Sequence, residues 1–270
     1  MQPTGTIQVT ALSFSVPQHL MLQEIEVCFS AAKIHVILGQ NGAGKSTLLR
    51  CLSKELAPTE GAIQWQGKPL KSISYAQLAL QRGVLSQSVE LSFSFTVEQL
   101  VRLGVEVRGH CEQAQQVIES VLQVCDMHHL QKRDYLTLSG GEQKRAQLAR
   151  VLAQIWPVDA KLPDAFMGKW LLLDEWTASL DIKHQLQLGC YFKQWAQQGL
   201  GIIMVLHDIP FAAQLADNCL MLKSGRVFHQ GDAVTCLTQA NLREALEINA
   251  HVKINKDSGR PFIYPLLESF

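Results

Sequence analysis

The chain has 270 residues, enough for one large or two small domains with a sizeable core. Its 24 lysines and arginines equal its 24 aspartates and glutamates, a balance that argues against a general polyanion grip on nucleic acid. Apolar residues make up 47% and charged ones only 18%, which suits a compact fold with some apolar surface to set against partners.

Met1-Gln2-Pro3-Thr4-Gly5 has neither the basic nor the apolar stretch of a signal peptide. No apolar run approaches the roughly 20 residues needed to span a bilayer, so any membrane role is expected to be borrowed from a partner. Ile7, Val9, Leu12 and Phe14, then Ile25, Val27 and Phe29, read as strands. The apolar run Ile34-His35-Val36-Ile37-Leu38 reads as a buried strand. It leads into Gly39-Gln40-Asn41-Gly42-Ala43-Gly44-Lys45-Ser46-Thr47, which fits G-x-x-x-x-G-K-[ST], and the residues from Ser46 to Leu52 read as a helix. A strand, a glycine-rich turn and a helix N-terminus form an anion cradle, because backbone N–H groups and the helix dipole both favour phosphate. Lys45 is placed to reach β- and γ-phosphates and the Ser46 hydroxyl to ligate Mg²⁺. The expectation is a nucleotide-binding protein, and an ATPase.

Ile63-Gln64-Trp65 reads as a further strand, followed by a turn at Gly67-Lys68-Pro69. Helical periodicity over 97–131 marks a candidate inserted helical segment. Cys125 continues the stripe of Val117, Ile118, Val121 and Leu122, so it is assigned to the core rather than to a metal or haem site with His128 and His129. The seven cysteines (28, 51, 111, 125, 190, 219 and 236) form no C-x-x-C pair and read as buried thiols of a reducing compartment.

Leu138-Ser139-Gly140-Gly141-Glu142-Gln143 is a helix start, with Ser139 as N-cap and Glu142 completing a capping box. Gly140 and Gly141 let the backbone approach a ligand closely, and the helix N-terminus offers a second phosphate site. Trp170-Leu171-Leu172-Leu173 and the apolar run 201–206 read as strands buried on both faces of a parallel sheet. Helical patterns follow each, which argues for an α/β fold. The first of these strands ends in Asp174-Glu175. Ligands of open α/β sheets gather at the carboxyl ends of strands, so Asp174 is expected to hold Mg²⁺ and Glu175 to orient or deprotonate the attacking water. The chain thus carries two phosphate-binding helix starts, whereas ATP has one γ-phosphate. The economical arrangement is an ATP held between two copies of the chain.

At these residues the chain resembles the ATP-binding-cassette (ABC) ATPases, over about residues 7–232. The resemblance implies a P-loop α/β fold with a mixed or parallel core sheet, an N-terminal antiparallel β subdomain and an inserted α-helical subdomain. It implies an ATPase domain over 1–240, with the helical part at about 88–155, and a C-terminal extension over 241–270. It implies that Ser139, Gly140 and Gly141 meet the γ-phosphate of the partner copy's ATP. Gln87, in Val84-Leu85-Ser86-Gln87, matches the glutamine that senses Mg²⁺ and the attacking water while linking to a transmembrane partner. Asp181, in Ser179-Leu180-Asp181, matches the loop that crosses the dimer interface, and His207 matches the switch histidine that contacts the γ-phosphate. There are two departures. Val16 stands where an adenine-stacking aromatic is expected, with Phe14 as the nearby substitute. Trp176 replaces the proline after the catalytic glutamate, which is expected to set a large indole near the dimer interface.

Within the family the chain resembles single-domain importer subunits for haem, iron-siderophores and cobalamin, most sharply the haem group. The residues that carry this are Ala149 to Trp156, the polar segment 157–169, Ala178 to Gln185, and Val205-Leu206-His207-Asp208. The implied partners are a second copy, two transmembrane permease subunits docked near Gln87 and residues 88–100, and, indirectly, a periplasmic haem-binding protein. Nucleic acid is not among them. The implied location is peripheral, on the cytoplasmic side of the inner membrane. The rival from another class is a soluble ABC ATPase of iron–sulfur cluster assembly.

Overall fold

The computed structural model describes residues 5–17, 19–87, 94–109, 112–157 and 159–266. They form two compact units, Met1–Ser72 with Ile203–Phe270, and Ile73–Ile202.

In the first unit, β1 (Thr6–Val16) and β2 (His19–Ser30) pair antiparallel, with Ile7 opposite Phe29, Val9 opposite Val27 and Leu12 opposite Ile25. These side chains are buried while Gln8, Glu26 and Cys28 are exposed, the period-2 pattern of a sheet with one face in the core. β3 (Ile34–Gly39) is buried up to its final glycine, and α1 (Lys45–Leu52) follows the glycine-rich turn. β4 (Glu60–Trp65) and β5 (Lys68–Pro69) complete an antiparallel sheet of order β2-β1-β4-β5.

The second unit holds α2 (Tyr75–Ala79), β6 (Arg82–Leu85), α3 (Val97–Glu106), α4 (Ala114–Val124), α5 (Gly140–Ile155), β7 (Trp170–Asp174) and α6 (Ile182–Gln197). β6 and β7 run parallel, in register from Arg82 with Trp170 to Leu85 with Leu173. Every residue of β7 is buried, as expected of a strand covered on both faces. α3 and α5 cross at Gly104, where a Cβ would stand 2.1 Å from the Arg150 carbonyl oxygen, so only glycine permits the approach. The polar segment before β7 reaches into the core. Its Phe166 is fully buried against Trp156 and Trp195, with ring centroids 5.8 and 5.6 Å away.

β8 (Gly201–Val205) begins in the second unit and ends in the first. The first unit then resumes with α7 (Ile209–Leu215), β9 (Asn218–Lys223), β10 (Arg226–Asp232), α8 (Ala233–Cys236), α9 (Gln239–Leu246), β11 (Ala250–Ile254) and β12 (Pro261–Pro265). β9 lies parallel to β3 and antiparallel to β10, while β8 flanks β3 on the other side. The β11–β12 hairpin packs on α7. Arg260 ties it there, donating to the Ala216 carbonyl at 2.7 Å and pairing with Asp217 at 3.0 Å.

Two expectations change. Cys51, Cys125, Cys219 and Cys236 are buried, but Cys28 and Cys190 are exposed, because each falls on the outward face of its element. Trp176 does not stand at a surface. It is fully buried, edge-on to Phe192 at 5.0 Å, since the turn after Glu175 directs the indole into the packing beneath α6. Of the docking region expected near Gln87 and residues 88–100, residues 88–93 lie outside the described residues. Among those described, no helix is long and apolar enough to cross a membrane.

Candidate nucleotide site

The first unit builds the glycine-rich loop. Gly44 is the N-cap of α1, at φ 96°. A Cβ there would stand 2.6 Å from Leu22 Cδ2 and 2.8 Å from the Met21 carbonyl oxygen of β2. Gly39 is as tight, with the Leu222 carbonyl oxygen 2.5 Å from the place of its Cβ. Gly225 N–H donates to the Ala43 carbonyl at 3.3 Å, so the β9–β10 turn braces the loop from behind. Lys45 is buried, and its ammonium donates to the carbonyls of Gly39 at 2.7 Å and Gln40 at 2.9 Å. These bonds hold the cation across the mouth of the turn, where phosphate oxygens would sit. Leu206 N–H donates to the Ile37 carbonyl at 3.5 Å, so His207 and the loop leave their strands at the same end of the sheet. His207 is exposed there, followed by Asp208 as N-cap of α7. Phe14 is half-buried opposite Leu22, the residue that touches Gly44, whereas Val16 is exposed.

The second unit gathers the acidic end. Leu85 and Leu173 are register partners on parallel strands, so Gln87 and Glu175, each two residues further on, emerge side by side. Gln87 Nε2 donates to Glu175 Oε2 at 2.9 Å. Asp174 is buried at the end of β7, and Glu175 takes φ 48°, which turns the chain sharply after the strand. Lys144, from the second turn of α5, donates to the carbonyls of Gln87 at 3.1 Å and Ser86 at 3.4 Å. Burial lowers the pKa of its ammonium, and the charges of Asp174 and Glu175 oppose that. Ser139 caps α5 as expected. Its N–H and Oγ–H both donate to Glu142 Oε2, at 2.7 and 2.8 Å, and these bonds hold the Glu142 carboxyl below its ordinary pKa. Asp181 caps α6, accepting from His184 N–H at 2.9 Å. A cavity of about 230 Å³ opens between these parts, lined by Gln87, Tyr135, Gly140, Lys144 and Ser179.

The ABC transporter family profile matches residues 22–159. Over 98% of this chain and 96% of the relative, the chain is 36% identical to the Hemin import ATP-binding protein HmuV of Rhodopseudomonas palustris. It is 38% identical to the protein of the same name from Hydrogenovibrio crunogenus, over 92% and 95%. Among solved structures, cbiO1 from Clostridium perfringens, part of the ABC transporter complex cbiONQ, superposes with a TM-score of 0.70 at 26% identity, over 87% and 92%. This chain belongs to the ABC transporter family. As an ABC ATPase it binds and hydrolyses ATP, and its α/β fold, with an antiparallel sheet and a mixed, mainly parallel one, is that of the family.

Within this ABC fold, the expected site residues fall into two groups. Gly39 to Thr47 and His207 belong to the first unit, and Gln87, Ser139 to Gly141, Asp174, Glu175 and Asp181 to the second. The Ser46 hydroxyl, Asp174 carboxylate and Gln87 amide are hard oxygen donors, the kind Mg²⁺ takes. Cys125 is buried in the core beside Val121 and Leu122.

Sequence reasoning missed Gly225, Lys144 and a cluster around His184. Gly225 had a readable signal, a turn glycine between strands, but nothing in the sequence says which loop it supports. The His184 cluster joins residues 126, 145, 181 and 184, whose proximity only the fold reveals.

Proposed function

We propose that this chain is the ATP-hydrolysing subunit of an importer that carries haem across the inner membrane, bound peripherally on its cytoplasmic side. The observation that carries the ATPase reading is the pairing of Gln87 with Glu175 at 2.9 Å, beside a capped Ser139 helix on the same chain. The cargo rests on the name, Hemin import ATP-binding protein, shared by relatives matched over nearly their whole length.

In this reading the residues over 1–240 form the ATPase domain, its helical part spans about 88–155, and 241–270 are an extension. Gly39 to Thr47 cradle the phosphates through backbone N–H groups, and Lys45 leaves the Gly39 and Gln40 carbonyls to neutralise β- and γ-oxygens. Ser46, Asp174 and Gln87 would hold Mg²⁺, which when bound spreads the charge of the β- and γ-phosphates. Glu175 accepts a proton from the attacking water, and Gln87 holds that carboxylate in place until the water arrives. His207 contacts the γ-phosphate from the end of β8. Ser139, Gly140 and Gly141 meet the γ-phosphate of the ATP held by a second copy, with Asp181 near the boundary between copies. Closure of that dimer moves two permease subunits that a periplasmic haem-binding protein supplies.

The test is transport. The chain is co-purified with its permease, reconstituted in liposomes and given ATP and haem-loaded binding protein. ATP-dependent haem accumulation supports the proposal. Uptake of an iron-siderophore or cobalamin in place of haem would reassign the cargo. A chain that never co-purifies with a membrane protein and hydrolyses ATP alone would favour soluble iron–sulfur assembly.

A further inference from the structure

His184 is nearly buried at the start of α6, with carboxylates on both sides of its ring. Nδ1 lies 2.8 Å from Asp181 Oδ1, and Nε2 lies 3.1 Å from Asp126 Oδ2, just past the end of α4. Arg145 Nη1, from α5, is 3.0 Å from both ring nitrogens. An atom equidistant from the two nitrogens at that range stands over the ring, since an in-plane position would collide with the carbon between them. Arg145 Nη1 therefore sits over the face of the imidazole and leaves its edge to the carboxylates. Three elements, α4, α5 and α6, meet on this one side chain. The His184 hydrogen bond is the largest cause holding Asp126 below the ordinary carboxylate range.

The next residue continues the clamp. Gln185 Nε2 donates to the carbonyls of Leu180 at 2.8 Å and Thr177 at 3.3 Å. On the far side, the Ser179 carbonyl oxygen presses on Gly141, 2.6 Å from where a Cβ would be. The segment so held is conformationally unusual: Glu175 at its start and Ser179 in its middle take φ 48° and 67°, values that non-glycine residues adopt only when surroundings enforce them. Glu175 heads this segment, and Gly141 belongs to the helix start proposed to meet the other copy's ATP.

We propose that His184 is a positioning residue: through Asp181, Asp126 and Arg145 it fixes segment 175–181 against the start of α5, so that Glu175 and Ser139 move together. This rests on the ATPase reading above for its consequence, but not for its structure. A phosphate engaged at Ser139 then shifts the carboxylate that acts on this chain's own ATP. The imidazole touches neither nucleotide nor water, and it acts by holding the loop.

The test compares the full chain with H184A, H184Q and D126N. Asp126 is half-exposed, so D126N keeps the fold safe. H184A is expected to lower kcat by about tenfold while KM and the affinity for a fluorescent ATP analogue stay within about twofold. H184Q, whose amide nitrogen reaches the place of Nε2, should recover most of that loss, and D126N should lose about threefold in the same direction. Hydrogen exchange read on residues 177–181 and 139–142 should rise in both segments of H184A. Unchanged kcat in H184A and D126N with the wild type active would overturn the proposal, as would a rise in exchange confined to 184 and its neighbours on α6. Should the wild type bind ATP without hydrolysing it, the proposed function fails, and the exchange data alone still decide whether His184 clamps the segment.

Discussion

The two helix starts that the proposed function assigns to phosphate satisfy their first turns in different ways. α1 begins at Gly44, a residue with no side chain to give, has no acidic residue in its first turn, and carries the Lys45 ammonium at its mouth. α5 begins at Ser139 and is closed by its own capping box, with the Glu142 carboxylate already placed at the positive end of the helix. The first is therefore a strong anion site by itself. The second has spent part of its dipole on an internal carboxylate, so it suits a phosphate whose charge is mainly held elsewhere and whose contact must be reversible. One firm half and one weak half fit the proposed sharing of an ATP between two copies.

The largest expected effect is at the firm half. Lys45→Ala should weaken ATP binding by about 100-fold, about 2.7 kcal/mol, in titrations of a fluorescent ATP analogue. A loss no greater than that of a Ser139 variant would erase the distinction between the two helix starts. Next is Gly141→Ala, whose Cβ would meet the Ser179 carbonyl oxygen at 2.6 Å. It is expected to lower kcat by about tenfold or more with ATP affinity of the single chain within about twofold, measured in steady state. Ser139→Ala should cost about 1 kcal/mol of stability through the lost cap, read from the denaturant midpoint, again with single-chain ATP binding intact. The smallest effect sharpens the comparison from the other side. Glu142→Gln keeps a capping-box residue at the third helical position but removes the carboxylate. Its stability should fall by only a few tenths of a kcal/mol, and its KM for ATP should fall by about twofold as α5 becomes more attractive to phosphate.

The difference between the two starts was only half legible in the sequence. Both motifs announce themselves by local spacing, and the capping box at Ser139 could be named because it is written within four consecutive residues. The strands Trp170–Asp174 and Gly201–Val205 were equally plain, since continuous apolar runs have little else to be. What stayed hidden depends on register and side-chain direction. That Gln87 reaches Glu175 follows from pairing Leu85 with Leu173, which no local pattern states. Trp176 looked like a surface departure because the family's proline is a turn residue, yet the positive φ of Glu175 swings the indole into the core. Lys144 and Arg145 are adjacent cations on a helix. The sequence assigns them no partner, yet one reaches the Gln87 carbonyl and the other places Nη1 over the His184 ring.

The central claim, that the weak half on one copy completes the firm half on another, is tested most directly by the mass of Glu175→Gln in MgATP, measured by sizing chromatography with light scattering. Slowing hydrolysis without removing any phosphate contact should trap the closed pair. The expected result is a dimer with ATP that reverts to monomer when nucleotide is removed. A chain that binds ATP fully and remains a monomer would contradict the shared site.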